Sequence, residues 1–218
     1  MALINIFKKP PQSPDNNSPT LIYDLLFCDD IDLYKKHIRQ PVAPWSILFS
    51  DNSTNEDLQA LIDNPKTESR VKILAYRKLS SNGQKPRKKE LLAVIIEIGL
   101  DMGTDVLASF RDGSARYINQ SGKVIIWEIR DERSDFLTSE LFDESENMAK
   151  KIGPWDIQSR LAPPGIGLAR ITFLVSEGLY FGQAPMNVLF HDPLSGPALN
   201  VATLLMQHLT ERALQRNQ

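Results

Sequence analysis

Residues 90–128, "ELLAVIIEIGLDMGTDVLASFRDGSARYINQSGKVIIWE", constrain the fold more than any other part of the chain. Leu91–Ile98 is almost continuously apolar and rich in β-branched side chains, the composition of a central strand covered on both faces. A buried helix could share it, but the hairpin signals that follow favour the strand. Asp112-Gly113 lies between alternating segments, and a type I′ turn needs positive φ at both of its central residues. A two-residue loop there sets Arg111 opposite Ser114, Phe110 opposite Ala115 and Ala108 opposite Tyr117. One face then carries Val106, Ala108, Phe110, Ala115 and Tyr117 towards a core. Leu107, Ser109, Arg111, Ser114, Arg116 and Ile118 share a mostly wet face. "NQSG" (119–122) makes a second turn into "KVIIWE". With Ser121-Gly122 as a two-residue loop, Trp127 falls opposite Arg116 on the wet face, within reach of a cation–π contact worth roughly 0.5–1 kcal/mol. A longer loop reverses the faces and buries Trp127.

Within this segment "ARYINQSGKVII" resembles one unit of the WG (also called KWG) repeat, through Tyr117, Ile118, Asn119, Gly122, Lys123, Val124 and Ile126. Arg116 stands where such repeats usually carry Gly, and the chain has no second copy. Because these repeats act as arrays, the resemblance implies similar hairpin chemistry rather than membership of the family.

Helical spacing dominates elsewhere. "KKPPQSPDNNSPT" (8–20) has too little apolar surface to order alone, so residues 1–20 are expected to be a flexible tail and 21–218 one α+β domain. Leu21, Leu25 and Cys28 recur at helical spacing. Ser53 with Glu56 reads as a capping box before Leu58, Leu61 and Ile62. Asn64 with Pro65 reads as the start of a second helix through Val71, Leu74, Ala75 and Leu79. Leu137, Leu141, Met148 and Ile152 mark another helix, ended by Gly153-Pro154. "ARITFLVSEGLYFG" and "MNVLFHD" read as strands, and Ser195 as the cap of a last helix carrying Val201, Leu204, Leu205, His208 and Leu209. Helices first, then antiparallel strands, a helix, strands and a closing helix give an α+β order, with an antiparallel sheet of about five or six strands.

Composition narrows the function classes. A net charge of −2 and a pI near 6.0 provide no field for nucleic acid or an anionic membrane, so neither is expected as a partner. One cysteine excludes an internal disulfide and any multi-thiolate metal site, and points to a reducing, cytoplasmic setting. No metal and no cofactor are expected.

Candidate site residues fall in five stretches. Arg116 and Trp127 form a binding spot if the short turn holds. Tyr180 and Phe181, bracketed by Gly178 and Gly182, form an aromatic rim. "HDPLSGP" places His191, Asp192 and Ser195 at a helix start, the basis of an alternative small-ligand-binding or hydrolase-like reading. "KPRKKE" (85–90) concentrates four positive charges in a loop, and "PPGIGLAR" brings glycines before a strand without a complete phosphate-loop motif. Cys28 on an apolar stripe reads as a small inert hydrophobe. The leading expectation is a non-catalytic binding or interaction protein, its partner another protein or a second copy of the chain.

Overall fold

A computed structural model describes residues 18–155 and 160–216. The apolar run becomes the ten-residue strand β1 (Leu91–Leu100), and the strands around it are β2 (Gly103–Phe110), β3 (Ala115–Ile118), β4 (Val124–Trp127), β5 (Leu168–Val175) and β6 (Gly178–Pro185). They form one six-stranded sheet in the order β4-β3-β2-β1-β5-β6, antiparallel at every pairing. Helices α1 (Pro19–Leu26), α2 (Ile31–His37), α3 (Trp45–Phe49), α4 (Asn55–Asp63) and α5 (Ser69–Ser81) precede the sheet. Helices α6 (Glu132–Ala149), α7 (Met186–His191) and α8 (Gly196–Gln215) follow β4 and β6. This is the expected α+β order. Residues 1–17 of the expected tail lie outside the described residues, while Pro19 and Thr20 already form the first turn of α1. Among the described residues no helix is long and apolar enough to cross a membrane.

A strand with two apolar faces needs two cores. Leu92, Ile95, Val106, Ala108, Phe110 and Ile118 pack with residues of the first five helices, Leu58, Val71 and Leu74 among them. Val94, Ile96, Leu107, Ile171 and Phe173 pack on the other face against Leu137, Leu141 and Phe142 of α6 and Leu199, Leu205 and Leu209 of α8.

Both hairpin turns are one residue longer than the sequence reading expects. The Phe110 amide donates to the Ser114 carbonyl (2.9 Å), the Gly113 amide donates to the Phe110 carbonyl (2.9 Å), and Gly113 has φ +87°. This is a type I turn followed by a left-handed glycine, not a type I′ turn. The second turn repeats it: Asn119 N–H to Lys123 O at 2.9 Å, Gly122 N–H to Asn119 O at 2.8 Å, Gly122 φ +77°. Side chains explain the choice. The carboxylate of Asp112 accepts the Ser114 amide (2.9 Å), and the Asn119 side chain accepts the amides of Ser121 and Lys123 (3.0 and 2.9 Å). Such side-chain-to-backbone bonds hold the longer turn. The pairing becomes Ser109 with Ala115, Ala108 with Arg116, Leu107 with Tyr117 and Ala115 with Trp127.

Three other expectations are corrected. "MNVLFHD" is helical: Met186, Leu189 and Phe190 follow i, i+3, i+4 spacing, and Leu189 and Phe190 pack on the second core. Thr54, not Ser53, caps α4, in a capping box with Asp57. Asn64 does not open a helix; its side chain accepts the Lys66 amide (2.9 Å) in a turn, and α5 begins at Ser69. The "PPGIG" glycines adjoin a close backbone contact: the Gly167 amide donates to Gly99 O (2.9 Å), and a Cβ on Gly99 would lie 2.2 Å from Gly165 O.

One acid stands inside the first core. Glu97 of β1 is 0% exposed; it accepts the Tyr23 hydroxyl of α1 (2.7 Å) and pairs with Arg170 of β5 (3.4 Å). Arg170, itself 5% exposed, also donates to Gln183 and to the carbonyls of Leu161 and Ala162. Burial pushes the Glu97 carboxyl above its ordinary value, against the opposing pull of Tyr23 and Arg170. Breaking a buried pair by removing one partner costs about 3–5 kcal/mol, since the other charge keeps its desolvation penalty. Glu97→Ala is therefore expected to lower the unfolding free energy by about that amount, and Glu97→Gln, which can still accept from Tyr23, by less. Urea denaturation of the two variants checks the order.

Candidate functional site

The longer turns separate Arg116 from Trp127. Trp127 is 3% exposed on the α8 side of the sheet, edge-on to His208 at 5.9 Å, with the Arg216 guanidinium 5.1 Å from its ring centre. Arg116 is 5% exposed on the opposite face. It donates to the carbonyls of Ala115 and Trp127 and pairs with Glu128 (2.7 Å), whose carboxylate also lies 3.9 Å from Arg70. Burial, then the neighbouring Arg70 charge, push Arg116 down to about 10 despite Glu128, so it stays cationic at neutral pH. The wet face expected around this pair does not exist, because helices cover both faces of the sheet. Arg116 instead ties β3 to the end of β4, and Glu128, shared with Arg70, links that corner to the start of α5.

Asp112 completes that tie. Its carboxylate accepts the Ser69 amide (2.7 Å) while its own amide donates to the Ser69 hydroxyl (3.0 Å), a capping exchange across 43 residues at a helix whose own N-cap, Glu68, makes no side-chain cap bond. Burial works to raise the Asp112 carboxyl, but bonds from the Ser114 hydroxyl and from the Ser69 and Ser114 amides, with the Arg70 charge, hold it below the usual range. A depressed folded-state pKa gives stability that is full above the unfolded value of about 3.9 and lost as the pH falls through the folded one. Asp112→Ala should cost about 1–2 kcal/mol at pH 7, with the gap from wild type narrowing below about pH 4. Urea midpoints at pH 7 and pH 3 check it.

The remaining candidates also separate. Tyr180 and Phe181 point to opposite faces of β6. Tyr180 is buried in the second core, its hydroxyl on Glu177 (3.0 Å) and Lys89 4.6 Å above its ring. Phe181 meets Trp155 edge-on at 4.7 Å. His191 is exposed at the end of α7, its Nδ1 2.7 Å from Asn187 O. Asp192 accepts the amides of Leu194 and Ser195 (both 2.9 Å), and the Ser195 hydroxyl donates to Leu189 O (2.7 Å). These three residues build the α7–α8 turn, and Ser195 supplies no side-chain cap to α8. The "KPRKKE" charges are largely engaged: Arg87 with Asp63, Lys88 with Glu90, Lys89 with Ala149 O and Tyr180. His208 lies 3.1 Å from both carboxylate oxygens of Asp131.

Cys28 lies just past α1 with φ +50°, its sulfur 3.3 Å from the Tyr34 hydroxyl. Burial pushes its thiol up to about 11, although the Tyr34 contact pulls the other way. The native protein at pH 8 should resist iodoacetamide and react once unfolded in urea, as intact mass will show; rapid native alkylation would contradict this burial.

A different site emerges at the turn end of β5–β6. A cleft of about 430 Å³ opens between the last two turns of α5 and this hairpin, with Trp155 and Arg160 among its walls. Ile73, Leu174, Val175 and Leu179 supply apolar surface, and Asp29, Tyr76, Arg77, Ser80 and Glu177 supply polar groups. Several of these are committed. Arg160 pairs with Asp24 and Asp29, the Tyr76 hydroxyl donates to Glu90 (3.2 Å), and Ser176 bridges Lys88 O and the Glu90 amide. Two donors are not: among the described residues the Arg77 guanidinium has no ion-pair or hydrogen-bond partner, and the shielded Trp155 indole N–H has no acceptor. A second cleft of about 470 Å³ lies between Lys88–Leu91, Arg111 and the end of α6; Lys88, Lys89 and Arg111 there are already bonded to Glu90, Ala149 O and Glu146, and the remaining cation, Lys150, is exposed.

Arg77, Trp155 and Arg160 are not among the candidates the sequence supplies. Trp155 in "GPWDIQSR", an aromatic beside Gly-Pro, is the one local signal. Among the described residues no three His, Cys, Asp or Glu side chains gather as a metal site requires. Neither the sequence nor the fold matches a family model, a curated protein or a solved structure.

Proposed function

We propose that the protein is a non-catalytic cytosolic binding protein whose ligand occupies the cleft between α5 and the β5–β6 hairpin. The carrying observation is a pair of donors without a hydrogen-bond or ion-pair partner among the described residues, the Arg77 guanidinium and the Trp155 indole, on residues that line a concave site with apolar walls. Binding sites combine apolar walls with a few directed polar groups, and a shielded donor without an acceptor carries a cost that a ligand can remove. The adjoining Phe181–Trp155 contact keeps the expected aromatic rim in the reading through Phe181, with Trp155 in place of Tyr180.

The test is nitrogen-15 NMR of the full chain against a library of small polar fragments. Hits are expected to shift the Trp155 indole resonance, assigned with Trp155→Phe, together with amides of residues 76–81 and 176–179. A library that leaves these resonances unmoved, or hits that map elsewhere, overturns the proposal.

A further inference from the structure

We infer that the ligand of this cleft presents one carboxylate on an apolar body, an inference that rests on the cleft being the binding site. Both uncommitted groups are donors, so they call for an acceptor. Arg77 is a planar fork, which matches a carboxylate with two parallel N–H···O bonds. The Trp155 ring lines the same cleft, and its shielded indole N–H is a single neutral donor with no acceptor among the described residues.

Charge sets the number of negative groups. Arg160 also faces the cleft, but it is already paired with two carboxylates, Asp24 and Asp29, so among the described lining residues Arg77 is the one cation without an ion-pair partner. Glu177 stands among the lining residues, and α5 ends at Ser81, so the negative end of its helix dipole lies at the same place. Both disfavour a dianion such as a phosphate monoester and tolerate a monoanion. Ile73, Leu174 and Leu179 offer the apolar body a surface with no polar demand of its own. The second cleft offers no such arrangement: Lys88, Lys89 and Arg111 there would have to leave existing partners, and its remaining cation, Lys150, is an exposed ammonium rather than a planar fork.

The experiment titrates the full-length protein with phenylacetate, phenylacetamide and inorganic phosphate, following the Trp155 indole resonance in wild type and Arg77→Gln. Phenylacetate should move that resonance and bind at least about tenfold more tightly than the amide, a difference of about 1.4 kcal/mol. The preference should vanish in Arg77→Gln, whose unchanged thermal midpoint shows that it folds. Equal binding of acid and amide, or saturation by phosphate, overturns the carboxylate inference and leaves the cleft standing as a binding site. No shift with any of the three also overturns it, and the fragment library then decides the cleft separately.

Discussion

A ten-residue strand without a polar face cannot lie at a surface, and β1 obliges the chain to supply a layer of helices on each side of it. Among the described residues five helices precede the strand and three follow it, and α1–α5 cover one face while α6 and α8 cover the other. The acid placed within this strand gains its meaning from the same constraint. Glu97 has no access to water, so its charge is met by Tyr23 from the first helix and Arg170 from the neighbouring strand. Partners 74 residues before it and 73 residues after it are thereby held to one carboxylate. A polar group that costs so much when unpaired specifies where α1 must dock, which nonspecific apolar contact does not.

Much of the fold was legible because its signals are local and periodic. The apolar run, the two turn dipeptides and the helical stripes of α4, α5, α6 and α8 each lie within a window of some twenty residues. Local signals failed where the deciding partner is distant or where two turn types share letters. Asp112-Gly113 fits a type I′ turn and a type I turn with a left-handed glycine equally well, and only the bonds made by the aspartate separate them. One residue of loop length then moved Arg116 and Trp127 to opposite sides of the sheet. The start of α5 was misplaced for a related reason: its cap comes from Asp112, on a turn not yet synthesised when Ser69 emerges.

The cleft was far less legible. Arg77, Trp155 and Leu179 come from a helix, a loop and a strand, and no spacing in the sequence links them. What singles out the Arg77 guanidinium and the Trp155 indole N–H is that neither has a hydrogen-bond partner among the described residues, a property that exists only in the folded chain. The "HDPLSGP" and "KPRKKE" stretches show the converse. Their letters suggest chemistry, yet their side chains are largely spent on turns, ion pairs and a ring contact.

The two three-residue turns also govern how such a chain can change over generations. Substitutions within them act locally, but removing or adding a single residue in the first turn inverts every side chain of β3 and β4. A matching change in the second turn restores β4, returning Trp127 to its pocket beside His208, while β3 stays inverted. Length drift in this hairpin is therefore harmless to the cores only in steps of two.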